Sequence, residues 1–172
     1  MGEKNLVFDI PIDRYEKDMD TEFSRDKKKE IIELLTYHNQ LRSQKEFYEI
    51  ESELHEACKN GDLELIKIYL SETIENETND LRFKINKTNK TASLLKINNE
   101  EIEQLIIPRT VKHESDEYLI TSICLIFSNN LNIKTIKFEE NSLVSTIYSN
   151  SFSNSKIEEI YFPSSLKELK EG

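Results

Sequence analysis

The stretch IEEIYFPSSL, residues 157–166, is nearly a copy of IEQLIIPRTV, residues 102–111. A third version, IKTIKFEENSL over 133–143, shows what is being repeated. Ile133 keeps step with Ile157, Ile136 with Ile160 and Phe138 with Phe162, each pair 24 residues apart. Leu105 meets Ile136 at 31, and the seven extra residues fall around KHESDEY, 112–118. A second, shorter phrase moves with the first: Thr121-Ser122-Ile123 and Ser145-Thr146-Ile147 are again 24 apart, followed by Phe127 and Phe152 at 25. A unit of this length cannot bury its own apolar side chains. Stacked units can, because aligned Ile and Phe columns then form one continuous core.

Alternation within each long phrase assigns faces, since successive residues of a strand point to opposite sides of a sheet. With Leu105/Ile107, Ile136/Phe138 and Ile160/Phe162 turned inward, the outward ladder is Gln104, Thr135 and Glu159 beside Ile106, Lys137 and Tyr161. Ile106 and Tyr161 are then apolar groups on an exposed sheet, read either as anchors for a protein partner or as ordinary exposed hydrophobes.

Working back toward the N-terminus, residues 82–97 read as a hairpin, Phe83 and Ile85 alternating before the polar turn NKTNK and Leu94, Leu95 and Ile97 after it, placed to cap the edge of the repeats. ETIENETND, 72–80, reads as a linker. Before it the period changes to that of a helix. Ile31, Leu34, Leu35, His38 and Leu41, extended by Phe47 and Ile50, predict a helix over 26–49. Ser52 is expected to N-cap a short helix with Leu54, Ala57 and Cys58 on its apolar face. NGD then breaks the chain before a second short helix carrying Leu63, Ile66 and Leu70.

Net charge is −10, from 33 acidic and 23 basic residues. That balance speaks against a general nucleic-acid binder, which needs a dominant basic surface. RDKKK, 25–29, is flanked by acids and is read as a solvated helix start. No apolar run reaches the ~18 residues of a membrane span, and the N-terminus lacks the basic region and apolar core of a secretory signal. Membrane insertion is not expected, and a cytoplasmic location is, with the cell surface as the alternative. Cys58 and Cys124 suggest no disulfide framework and are expected to be reduced and buried.

Chemistry-bearing motifs are absent from the sequence: no phosphate-binding glycine loop, no Gly-x-Ser-x-Gly, no His-Glu-x-x-His. The adjacent acids Glu139-Glu140 and Glu158-Glu159 point to opposite faces of a strand and cannot jointly flank a scissile bond. His55 with Cys58 falls short of the four ligands of a closed zinc site, and His113 is read as a solvated loop histidine. No catalytic residue, cofactor or metal is therefore expected.

Residues 54–70 resemble an ankyrin repeat, with Leu54, His55, Ala57, Asn60, Gly61, Leu63 and Leu70 in register, although Ser52-Glu53 stand where Thr-Pro is usual. The resemblance implies that His55 bonds backbone in the turn and that Cys58 packs inside. ITSICLIFSNNLNIKTIKF and VSTIYSNSFSNSKIEEIYFPSSL, within 120–166, resemble the BspA-type leucine-rich repeat, with proline at Pro108 and Pro163 but Glu139 in the middle copy. An ankyrin-like segment ahead of such repeats is similar to large protein families of anaerobic protists. The fold expected is α+β: a helical, degenerate ankyrin-like region over 1–79, then a β-rich leucine-rich repeat solenoid over 80–172 with a hairpin cap and an incomplete last unit. The resemblance implies a non-enzymatic protein-interaction module, a scaffold or adaptor that binds a protein through its repeat surface, or alternatively a fragment of a surface adhesin for host or matrix ligands. The last strand is expected to be left without a cap, to be covered by an edge-to-edge oligomer or by more of a longer parent chain.

Overall fold

A computed structural model describes residues 10–38, 44–76, 80–99, 101–124, 132–148, 151–152 and 155–170. The chain is mixed α/β and divides into two compact units at Leu70/Ser71. The boundary expected at 79/80 falls nine residues later than this division.

The first unit is helical: α1 (Ile12–Asp18), α2 (Arg25–His38), α3 (Gln44–Asn60) and α4 (Leu63–Leu70). The helix expected over 26–49 is carried by α2 and the first part of α3, with residues 39–43 outside the described residues, and Ser52 lies inside α3 rather than capping it. Nothing between 44 and 60 breaks a helix, and a serine in mid-helix costs too little to start a new one. The predicted stripe is thus shared: Ile31 and Leu35 are buried on α2, and Ile50 on α3 with Leu54, Ala57 and Cys58. Leu41 and the side chains of His38 and Phe47 lie outside the described residues. The short helix α1 escaped the periodicity reading because seven residues carry barely two turns of pattern. It is held by Tyr15, fully buried, whose hydroxyl donates to Glu51 O at 3.3 Å.

Between α3 and α4 the NGD turn acts as the sequence implies. Gly61 takes the left-handed φ of +64° that lets the helix reverse, and Asp62 caps α4 by accepting from Leu65 N at 3.1 Å. His55 differs from its expected role: it stacks on Tyr15, ring centroids 4.8 Å apart, rather than bonding the turn. Its Nε2 sits 3.0 Å from Asp18 Oδ2, off the line of a hydrogen bond, so the contact is one of proximity to charge.

Among the described residues, the second unit contains ten strands: β1 (Glu72–Glu75), β2 (Leu81–Asn86), β3 (Thr91–Ile97), β4 (Gln104–Ile107), β5 (Thr110–His113), β6 (Asp116–Ile123), β7 (Thr135–Phe138), β8 (Thr146–Ile147), β9 (Glu159–Ile160) and β10 (Glu168–Leu169). They form a larger sheet in the order β1-β2-β3-β6-β8-β10, with β5 beside β6, and a smaller sheet β4-β7-β9. From β6 onward the chain alternates between the two, so that successive strands in each sheet are parallel. Residues 82–97 do form the expected hairpin, and β3 pairs with β6 at the edge of the repeats. The predicted linker is in part a strand: Glu72–Glu75 pairs antiparallel with β2. Its Thr73 and Ile74 hide in a polar stretch because β1 alternates only one buried residue with exposed ones. The seven-residue insertion is likewise structured, as the β5–β6 hairpin turning at Glu114, φ 55°. His113 therefore lies on a strand, Nε2 3.4 Å from Glu72 Oε1, and not in a loop.

Register makes the periodicity physical. Leu105, Ile136 and Ile160 are Cα partners in the smaller sheet, and Ile123 and Ile147 in the larger. One apolar row crosses the whole larger sheet, Ile74–Phe83–Leu94–Ile123–Ile147–Leu169. Its first five members are buried and line one core with Leu105, Ile107, Ile133 and Ile136 of the smaller sheet side. The neighbouring row is polar throughout, Thr73–Lys84–Ser93–Ser122–Thr146–Glu168. Within it Ser93 and Ser122 share a buried hydroxyl–hydroxyl bond of 2.6 Å, and Lys84 donates to Ser71 O at 3.0 Å. A slip of one residue would swap these rows, so the pattern pins the pairing.

Both cysteines are free and buried. Burial pushes each thiol up to about 12, so at neutral pH both are protonated and poor nucleophiles. A thiol reagent at pH 7.5 is expected to label the native protein slowly and the urea-unfolded protein at once. Rapid labelling of either cysteine in the native state would contradict this burial.

Candidate interaction surface

The smaller sheet presents its outer face as two rows. Gln104, Thr135 and Glu159 are in register across β4, β7 and β9. Beside them Ile106 is the partner of Lys137, and Tyr161 continues the row, its amide donating to Ile136 O at 2.9 Å. All six residues of the expected ladder thus lie on one face. Ile106 is 55% exposed and Tyr161 54%, although the strands beneath them are anchored by buried Leu105, Ile107 and Ile136. Exposure of Ile106 follows from the pleat, since Leu105 and Ile107 on either side of it are buried, whereas Tyr161 stands just past the end of β9 between partly buried Ile160 and exposed Phe162.

The row is preorganised by its own contacts. Lys137 Nζ lies 5.5 Å from the centroid of the Tyr161 ring, and Tyr161 Oη donates to Glu159 Oε2 at 2.9 Å. Accepting that hydrogen bond, Glu159 raises the Tyr161 phenol above its ordinary value. Lys134 and Glu103, 3.5 Å apart, flank the same sheet. The apolar residues are separated by two strand spacings, about 10 Å, with the lysine between them.

One inward assignment is corrected. Phe162, expected in the core column of Ile107 and Phe138, is 47% exposed. Two causes act together. Extending the β7–β9 ladder needs a donor from residue 163, and Pro163 has none, so β9 stops at Ile160. A strand at the end of a stack also has a neighbour on one side only. Proline is excluded from the middle copy for the same reason: Glu139 N donates to Ile107 O at 2.9 Å, a bond that proline at 139 would delete.

Glu139 has a second use that the sequence did not announce. Its Oε2 accepts from Arg109 N at 2.6 Å, at the rim of an open polar depression of about 430 Å³ lined also by Thr110, Glu117, Glu140 and Asn141. Of the two phenylalanines that follow the shorter repeated phrase, Phe127 lies outside the described residues, while Phe152 packs against the core partly buried. No group of three or more His, Cys, Asp or Glu side chains among the described residues is arranged to hold a metal ion. No helix among them is long and apolar enough to cross a membrane.

Comparison with known proteins gives one structural neighbour to report. A leucine rich cell surface protein from Faecalibacterium prausnitzii A2-165 is similar over 52% of this chain, at 19% identity and a TM-score of 0.33. The match covers 32% of that chain, about a third of its length. No family model matches this sequence, and no curated protein matches it either.

Proposed function

We propose that the second unit is a short leucine-rich repeat solenoid of the BspA type, and that the protein is a non-enzymatic interaction module binding a protein ligand through the outer face of β4, β7 and β9. The observation that carries this reading is the paired exposure of Ile106 and Tyr161 on one face of a sheet whose other face buries Leu105, Ile107 and Ile136. Two apolar anchors on a rigid backbone, with Lys137 and Glu159 between and beside them, lower the ordering cost of binding. The helical unit, with its Gly61 turn and buried Leu54, Ala57 and Cys58, fits a degenerate ankyrin-like hairpin serving the same role. Two buried, unpaired thiols fit a reducing compartment and hence a cytoplasmic adaptor.

The test is affinity capture with the intact chain from the lysate of its own cells, followed by binding measurements on the captured protein. Replacing both Ile106 and Tyr161 by Ala is expected to weaken binding at least about tenfold, because anchor residues typically contribute ~1–2 kcal/mol or more each. Thr135→Ala, on the same face, is expected to change it less than about threefold. Binding that survives the double substitution would place the ligand elsewhere.

A further inference from the structure

The C-terminal end of the stack differs in kind from the N-terminal end. At the N-terminal end the larger sheet runs three strands beyond β6, through β3, β2 and β1, whereas the smaller sheet ends at β4. A second stack could not continue both sheets there at once. At the other end β9 and β10 are both edge strands, and no strand among the described residues pairs with their outer sides. The apolar row of the larger sheet emerges at this end: Ile147 is 3% exposed and Leu169, its Cα partner, 57%. Phe162, just past β9 of the smaller sheet, is exposed as well.

We propose that this end is a self-complementary interface, at which two copies of the chain pair β10 with β10 antiparallel, centred on Leu169. Charge supports this occupant over others. In an antiparallel pair centred on residue 169, Glu168 lies opposite Lys170 of the second copy, and Lys170 opposite Glu168 of the second copy. Both cross-strand pairs are thus of opposite sign, whereas like charges facing one another would oppose pairing. Leu169 meets its own copy and extends the apolar row from one molecule into the next. A two-fold axis running across both sheets also faces β9 with β9 and covers Phe162. A two-fold pairing of the same end of both copies uses up that end, and the other end presents different edges, β1 and β4, so the assembly stops at two. The proposal is independent of the ligand of the β4-β7-β9 face.

Sedimentation of the full chain from about 1 to about 300 µM tests it, a range that spans weak to moderate self-association. The expected result is a reversible monomer–dimer equilibrium that stops at the dimer. Glu168→Lys or Lys170→Glu alone turns both cross-strand pairs repulsive and is expected to weaken the dimer about tenfold. The double substitution E168K/K170E restores opposite charges and is expected to return the affinity to within about threefold of the original. Leu169→Asp is expected to leave a monomer throughout. Lys170 Nζ also lies 4.5 Å from the Tyr148 ring, so circular dichroism and melting of each variant separate a lost interface from a lost fold. A chain that is monomeric at every concentration, one that grows beyond a dimer, a dimer indifferent to Leu169→Asp, or single swaps whose effects the double swap does not reverse would each overturn the proposal.

Discussion

Phe83→Ala is expected to destabilise the second unit by about 3–5 kcal/mol, the range for removing a fully buried aromatic side chain. Phe83 has no exposed surface and stands second in the apolar row, with Ile74 on one side and Leu94 on the other. The strands around it are fixed on both sides, β2 by β1 and by β3, so the sheet has little freedom to close over the space. Such a loss is a large fraction of the stability of an ordinary domain. Amide hydrogen exchange reads it directly: protection across β2, β3 and β6 should fall together by roughly the factor that 3–5 kcal/mol implies. The exposed Tyr161→Ala, by contrast, should leave that protection within about 0.5 kcal/mol of the original. Equal effects from the two substitutions would mean that the row does not carry the core.

The columns were legible because they obey arithmetic. Leu105, Ile136 and Ile160, and Ile123 with Ile147, could be aligned by counting, and their alignment became Cα register in the sheets. The outward ladder followed, since a strand leaves no choice about where the intervening side chains go. What escaped the sequence reading was set by neighbours rather than by period. β10 is the next member of the Ile123–Ile147 column, but Leu169 follows Ile147 by 22 residues, so a period of 24 points past it. Phe162 has the residue type and position of a core member and is exposed because Pro163 ends its strand. Thr73 and Ile74 look like linker because a strand needs a partner to be one, and β2 supplies it from ten residues away. In the helical unit, the stripe read as one helix is carried by α2 with Ile31 and Leu35 and by α3 with Ile50, and residues 39–43 between them lie outside the described residues.

Gly61 carries the second large effect. Its φ of +64° is a region that L side chains rarely adopt, and β-branched residues least of all. A Cβ there would also fall 2.5 Å from Phe23 Cζ and 2.6 Å from Lys27 Cε. The lysine chain can swing aside, whereas the Phe23 ring has to turn and give up its position under Lys27 Nζ, now 4.4 Å from the ring centroid. Left-handed strain of about 1–2 kcal/mol and a displacement cost of similar size together put Gly61→Val at about 3 kcal/mol of lost stability in the helical unit. Two companion variants separate the causes. Gly61→Asn tolerates the left-handed backbone better, so it should keep mainly the displacement cost. Gly61→Val in a Phe23→Ala background should keep mainly the strain, falling to roughly 1–2 kcal/mol relative to Phe23→Ala alone. Thermal unfolding followed at 222 nm measures all three, and a Gly61→Val protein as stable as the original would mean that the α3–α4 turn does not hold its left-handed glycine.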